Sequence, residues 1–221
     1  MDPIRFHFDY ISPYAYLAWT QIRAIAARHA HLLVPVPTLF AGLLNAHGQK
    51  GPAEIPPKRI YVFKECLRRA HRFGVPLSPP PSHPFNPLLA LRVTSLVAAG
   101  AEQEALIDAL YRATWGGGAG VSTPEAVAAA ATEAGLDGGR LVAAADAPDV
   151  KARIRANTDA AIAAGVFGVP TMIVGGELFW GVDSLADLEA FLRGEDPVAL
   201  AGADAAQVAR WGAIKPSASR I

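Results

Sequence analysis

The stretch Ser12-Pro13-Tyr14-Ala15 constrains the fold more than any other part of the chain, because two different periodicities meet there. Before it, Ile4, Phe6 and Phe8 alternate with polar residues through Asp9, the period of a half-buried strand. After it, apolar residues recur at helical spacing to about Ala30, with Tyr16, Leu17, Trp19 or Thr20, and Ile22 to Ile25 turned inward. Pro13 fits the first helical turn, where its missing N–H leaves nothing unpaired, and Ser12 takes the N-cap position. Leu32 to Pro37 reads as a second strand, which makes a β-α-β unit and therefore two parallel strands.

The middle of the chain is helical in pattern. Phe40 to Pro56 is rich in Gly, Pro and polar residues and reads as a loop. Pro57 to Phe73 has helical spacing, with Tyr61, Val62, Leu67 and Phe73 inward and Lys58, Arg59, Lys64, Arg68, Arg69 and Arg72 mostly outward. Gly74-Val75-Pro76 ends it, and the proline-dense Ser78 to Pro87 reads as an irregular crossing. Helices are then predicted over Leu88 to Ala99 and Ala101 to Trp115, and after the cap-like Ser122-Thr123-Pro124-Glu125. Gly116-Gly117-Gly118-Ala119-Gly120 lacks the Gly-Lys-Ser/Thr ending of a phosphate loop, so it reads as a flexible connector with no nucleotide site. A short helix from about Gly139 and a longer one from Asp149 to Ala164 complete the block.

Strand pattern returns after Phe167-Gly168-Val169-Pro170. Thr171 to Val174, the Gly175-Gly176 turn and Glu177 to Trp180 form a hairpin signal, and Asp183-Ser184 opens a final helix ending near Arg193. The order β-α-β, helices, α-β-β-α is that of an α/β thioredoxin-like fold with a large all-helical insertion. Residues 1–39 and 151–200 are assigned to the thioredoxin-like domain, 40–150 to the helical insertion domain and 201–221 to a C-terminal tail.

A chain with 20 basic and 20 acidic residues offers no electrostatic footprint for nucleic acid or an anionic membrane. It is 52% apolar, but no run approaches the roughly 20 apolar residues that span a bilayer. Met1 to Ile4 leads directly into a strand with no basic segment and apolar run of a secretory signal, so a cytoplasmic location is expected. The lone Cys66 fits a reducing compartment, and its helical context marks it as a small buried hydrophobe rather than a nucleophile. His29-x-His31 has no third ligand in sight, so no metal site is expected.

A thioredoxin-like redox protein would carry Cys-x-x-Cys where this chain has Ser12 to Ala15, so dithiol chemistry is excluded there. The helix N-terminus still stabilises an anion, and it lowers a thiol from its usual pKa of about 8.5 by about one unit or more. The chain thus keeps a thiol-handling cleft without a thiol, and glutathione is the expected cofactor. Ser12 is equally suited to ordinary capping, worth about 1 kcal/mol. The combination with Val169-Pro170 tips the balance. A cis Pro170 frees the Val169 carbonyl and N–H to pair, like a strand, with an extended peptide such as glutathione. Trp180-Gly181-Val182-Asp183 offers N–H groups to a carboxylate and a carboxylate to an ammonium, the two charges of a γ-glutamyl group; Asp183 also suits a plain N-cap.

These motifs resemble the 2-hydroxychromene-2-carboxylate isomerase family and its relatives, the kappa-class glutathione transferases. The resemblance rests on Phe8-Asp9-Tyr10-Ile11-Ser12-Pro13-Tyr14-Ala15-Tyr16-Leu17, on Ile55-Pro56-Pro57-Lys58 to Tyr61, and on Phe167-Gly168-Val169-Pro170-Thr171 through Phe179-Trp180-Gly181-Val182-Asp183. It implies a cytoplasmic, homodimeric, glutathione-dependent protein. It makes Ser12 the activator of the glutathione sulfur, Val169 the backbone partner of the cysteinyl part, and Trp180 to Asp183 the γ-glutamyl pocket. Lys58 becomes a candidate for the glycyl carboxylate, and Gln49 falls near a kappa-class asparagine that contacts glutathione. Two positions depart from the pattern: Val182 replaces a polar residue, and Leu43 stands where naphthalene-pathway isomerases place a substrate-facing lysine. The expected activity is isomerisation of an aromatic hemiketal or α-keto acid lined by Phe85 and Trp180. A glutathione transferase or peroxidase is the alternative, and a non-catalytic thiol- or peptide-binding module the alternative of another class.

Overall fold

Strand β1 (Ile4–Phe8) sits in the centre of the sheet, and its burial follows from that position. In the computed structural model, which describes residues 2–199 and 204–214, β1 runs parallel to β2 (Leu33–Pro37) and antiparallel to β3 (Thr171–Val174). A hairpin joins β3 to β4 (Glu177–Trp180), giving the order β2-β1-β3-β4. Pro35 and Pro37 lie on the edge strand β2, where a missing N–H breaks no ladder. The strand is not half-buried as its alternation predicts: His7 is buried along with Phe6 and Phe8, because helices cover both faces of the sheet.

Helix α1 (Pro13–Arg28) buries Ala15, Leu17, Trp19 and Ile22 in the core it shares with β1. There Phe6, Phe8 and Tyr10 form a continuous aromatic layer with Trp19 and with Tyr111 of α5 (Ala101–Trp115). Phe8 and Tyr10 meet edge-to-face at 5.4 Å, Tyr10 and Tyr111 at 4.9 Å, spacings that add to plain area burial. Thr94 of α4 (Leu88–Leu96) anchors the Tyr10 hydroxyl at 2.6 Å. Helix α4 stops short of Ala99 because the Gln103 amide takes the freed Thr94 and Val97 carbonyls.

The predicted loop over 40–56 contains helix α2 (Phe40–Ala46) and a 3-10 turn at Pro52–Glu54. Helix α2 is short and has no cap of its own at Leu39, so its local signal is weak. Its N-terminus is capped from a distance: Phe40 N–H donates to Asp9 Oδ2 at 2.9 Å, and Leu39 N–H to Thr158 Oγ1 at 3.1 Å. Thr158 belongs to α8 (Pro148–Ala163), which lies along β2 and α2. Helix α3 (Pro56–Phe73) is rotated from the predicted face. Val62, Phe63, Cys66, Ala70 and Phe73 meet the core, whereas Tyr61 and Leu67 are 62% and 47% exposed.

The Ser78 to Pro87 crossing is irregular as expected and contains a cis His83–Pro84 peptide. The glycine run after α5 is a packed turn rather than a flexible connector: a Cβ on Gly118 would stand 2.7 Å from Ala113 Cα, and Gly120 N–H donates to Ala113 O. Helices α6 (Pro124–Glu133), capped by Thr123, and α7 (Gly138–Ala144), capped by Asp137, follow. After β4 a 3-10 turn at Val182–Ser184 precedes α9 (Leu185–Leu192). The expected tail contains α10 (Ala205–Gly212), and the remainder of 201–221 lies largely outside the described residues.

Two adjacent glycines at the start of α7 give a sharp test of this packing. A Cβ on Gly138 would run into the Ala128 carbonyl oxygen, while one on Gly139 meets nothing closer than Asp137 Oδ1 at 3.8 Å. Gly138→Ala is expected to destabilise by about 1–3 kcal/mol through forced backbone movement. Gly139→Ala is expected to stabilise by up to about 1 kcal/mol through a less flexible unfolded chain. Urea midpoints of both variants check the opposite signs.

Candidate functional site

The site forms where β1 ends and α1 begins. Ser12 has extended backbone angles (φ −96°, ψ 114°), and its Oγ accepts the Ala15 N–H at 3.2 Å. Of the first-turn donors, Pro13 has none, Ala15 is taken by Ser12 Oγ, and Tyr16 N–H goes to Ser12 O. Among the described residues nothing takes the Tyr14 N–H. That group is the donor left for an anion at the helix N-terminus.

Across the cleft stands Val169, followed by a cis peptide to Pro170. The Ser12 hydroxyl donates to the Val169 carbonyl at 3.3 Å, long for an O–H···O bond. A hydrogen held that loosely turns readily toward a stronger acceptor such as a thiolate. No hydrogen bond among the described residues uses the Val169 N–H. Ser12 and Val169 are both nearly enclosed, at 8% and 7% exposure, so an anion bound between them is poorly screened by water.

Beyond Pro170 the chain turns toward the start of α9. Gly181 N–H donates to Pro170 O at 2.9 Å, which fixes Trp180 to Asp183 beside the proline. The Trp180 indole is 53% exposed, stands edge-on to Phe167 at 5.0 Å and passes so close to Gly168 that a Cβ there would be 2.6 Å from Nε1. Val182 is buried, which explains an apolar residue at that position. Asp183 lies exposed within the 3-10 turn rather than capping α9, and its carboxylate has no side-chain partner among the described residues. It borders a groove of about 300 Å³ whose cations are already engaged: Arg28 with Glu189, and Arg69 with Glu65.

The remaining expected residues are more scattered. Lys58 lies exposed in the first turn of α3, and Gln49 is exposed just after α2. Phe85 is half-buried at 6.1 Å from the His83 ring, and no ring contact joins it to Trp180. Leu43 is fully buried against Val166 and Val169, so it supports the Val169 wall instead of facing a substrate. Cys66 is fully buried, and burial pushes its thiol up to about 12; no nucleophile is available from it. No His, Cys, Asp and Glu cluster able to hold a metal occurs among the described residues.

Sequence reasoning missed two ionisable residues that border the site. Asp9 is fully buried, and its Oδ1 accepts Ile11 N–H at 3.1 Å while Oδ2 accepts Phe40 N–H at 2.9 Å. Burial pushes its carboxyl up to about 7 although these backbone donors pull the other way. An acid closing an apolar strand was the available signal for it. His83 donates to Ile11 O at 3.0 Å, from a proline-rich segment with no periodicity to flag it.

A family model described as a DSBA-like thioredoxin domain matches residues 3–193. A 2-hydroxychromene-2-carboxylate isomerase of Sphingobium xenophagum is 32% identical over 192 residues, covering 86% of this chain and 97% of that protein. Glutathione s-transferase kappa 2 of Caenorhabditis elegans is 30% identical over 178 residues, covering 76% of this chain and 79% of its own. Among solved structures, a 2-hydroxychromene-2-carboxylate isomerase superposes with a TM-score of 0.80 at 27% identity, over 86% of this chain and 94% of that one.

The Asp9 carboxyl makes a testable contribution to stability. The folded protein keeps its proton to about 7, whereas the unfolded chain releases it near the ordinary 3.8. Between those values the folded state binds more protons, so the Asp9 contribution is fully present at low pH and falls as pH rises, by about 1.4 kcal/mol per unit. Asp9→Asn removes this slope and substitutes a constant loss from one mismatched acceptor, about 1–3 kcal/mol. The stability advantage of wild type over Asp9→Asn is expected to shrink steadily between pH 4 and pH 7 in urea titrations. A constant difference would show that Asp9 is ionised throughout.

Proposed function

Because the chain belongs to the DSBA-like thioredoxin-domain family, in the branch of 2-hydroxychromene-2-carboxylate isomerases and kappa-class glutathione transferases, we propose that it is a glutathione-dependent isomerase. Its substrate is an aromatic hemiketal or α-keto acid of the 2-hydroxychromene-2-carboxylate type. The observation that carries this reading is the loosely held Ser12 hydroxyl at the start of α1, opposite a Val169 whose N–H is unclaimed among the described residues. A peptide thiol laid along Val169 brings its sulfur to the Ser12 Oγ–H and Tyr14 N–H, and both stabilise the thiolate over the thiol. The chain's own cysteine is no substitute for this sulfur.

In the reaction, with the substrate in its open α-keto acid form, the thiolate's electron pair forms a C–S bond to a conjugated carbon, and the π pair of the double bond moves onto the carbonyl oxygen as an enolate. The former double bond, now single, rotates. The enolate then re-forms the carbonyl and expels the thiolate, so glutathione emerges unchanged. Val169 and Pro170 hold the cysteinyl part, while Trp180, Gly181, Val182 and Asp183 receive the γ-glutamyl end. Lys58 is assigned to the glycyl carboxylate, Gln49 to a further contact with glutathione, and Phe85 to the aromatic substrate.

Ser12→Ala is expected to lower turnover of the chromene acid about a hundredfold or more while costing about 1 kcal/mol of stability through the lost cap. Wild type and variant assayed with and without glutathione check it; equal rates in all four arms would end the proposal. Consumption of glutathione in the active arm would assign the kappa-type transferase reaction instead. Ser12→Cys supplies an independent check on the cleft: its thiolate attacks glutathione disulfide, releasing one glutathione and retaining the other as a mixed disulfide. Intact-mass analysis is expected to find one added glutathionyl group on the variant and none on wild type.

A further inference from the structure

Three successive carbonyls lead into Ser12, and each accepts a hydrogen bond from a ring on the helical side of the molecule. Asp9 O accepts the Tyr111 hydroxyl at 3.4 Å, Tyr10 O the Trp115 Nε1–H at 2.9 Å, and Ile11 O the His83 Nε2–H at 3.0 Å. The last of these touches the peptide that Ile11 shares with Ser12. That peptide is pinned at both edges, its oxygen by His83 and its Ser12 N–H by Asp9 O at 3.1 Å.

We propose that His83 is the positioning residue of the Ser12 site, holding the Ile11–Ser12 peptide plane so that the Ser12 hydroxyl and the Tyr14 N–H converge on one anion. The inference rests on the reading of Ser12 as the partner of a glutathione thiolate. A carbonyl only accepts, so the ring hydrogen is on Nε2, and Nδ1 is bare. Nδ1 is buried with no partner among the described residues, and Phe63, Trp115 and Phe85 surround the ring at 5.3, 5.6 and 6.1 Å. Burial lowers the His83 pKa, which keeps the ring neutral at physiological pH. One nitrogen is engaged and the other enclosed, so neither reaches a ligand. The ring therefore acts through the peptide it holds. Without that donor the Ile11 carbonyl turns to seek another, and rotation of the peptide about its Cα–Cα axis swings the α1 N-terminus off the cleft.

His83→Phe keeps the ring and removes the donor, and His83→Gln restores a donor near the Nε2 position. His83→Asn, whose amide reaches only as far as Nδ1, is a second donor-less variant should the phenylalanine prevent folding. The thiolate absorbance of bound glutathione, titrated with pH, is expected to shift upward by about one unit, a tenfold loss of thiolate, in the donor-less variants and to return toward wild type in His83→Gln. S-methylglutathione has no thiolate to stabilise, so the tenfold-per-unit loss does not apply to it, and it is expected to bind all of them within about twofold. An unshifted titration in the donor-less variants, or an equal loss of S-methylglutathione binding, overturns the proposal. If wild type itself forms no bound thiolate, the functional reading fails. The positioning role is then decided by the ligand-free Ile11 carbonyl and Ser12 amide resonances. They are expected to move in the donor-less variants and hold in His83→Gln, and unmoved resonances overturn the proposal.

Discussion

A backbone that leaves the centre of a sheet while still buried must find partners for its N–H and C=O groups, and residues 9 to 12 of this chain find most of theirs within the protein. Ile11 N–H is taken by the Asp9 carboxyl and Ser12 N–H by the Asp9 carbonyl, while Ser12 O accepts the fifth residue of the turn, Tyr16. The three outward carbonyls go to Tyr111, Trp115 and His83. Everything that makes the site follows from this closure. It sets the direction of α1, leaves the Tyr14 N–H without a partner among the described residues, and turns Ser12 Oγ toward Val169. The helices between β2 and β3 thus hold the loop that carries the chemistry, as well as widening the molecule around it.

Serine in place of cysteine changes the reagent the site can use while leaving the field of the site intact. The helix N-terminus and the enclosed Ser12–Val169 gap stabilise negative charge whichever residue stands at the cap. A cysteine there would be both the stabilised anion and the nucleophile. Serine at its ordinary pKa remains a hydroxyl and can only donate, so the stabilised anion has to arrive on a ligand. In the proposed reading the adjacent Val169 N–H gives that ligand a backbone to lie against; the buried Leu43 and Val166 packed with Val169 keep that wall in place.

The strands, their order along the chain and most helices were legible because each is carried by a local signal: the alternating apolar residues of β1, the Pro13 and Pro124 helix starts, and the Gly175-Gly176 turn. Helix α2 was illegible because both of its caps come from remote elements, Asp9 on one side and Thr158 on the other. The face of α3 was misjudged for a related reason. Its inward stripe contains Cys66 and Ala70, small residues with little hydrophobic signal, while the conspicuous Tyr61 and Leu67 point out. Ser12, Val169 and Trp180 to Asp183 could be named because they sit within continuous motifs. Asp9 and His83 act through single long-range contacts to backbone, Asp9 to the Phe40 N–H and His83 to the Ile11 carbonyl, and no periodicity records a contact of that kind.

The opposite face of β1 carries a quieter constraint on the same site. His7 and Asp9, two residues apart, share that face, the first bonded to Thr38 and the second to the start of α2. Burial pulls His7 down to about 4 and pushes Asp9 up to about 7, so between those values both are neutral in the fold. The unfolded chain in the same range holds a carboxylate and, below the ordinary histidine value of 6.5, an imidazolium. Folding therefore takes a proton from one and gives it to the other. His7 makes stability rise with pH across this window and Asp9 makes it fall, so the two slopes largely cancel in the whole protein. The consequence for the site is electrostatic. Below about pH 7 the Asp9 carboxyl is neutral and sets no charge against the helix N-terminus that Ser12 caps.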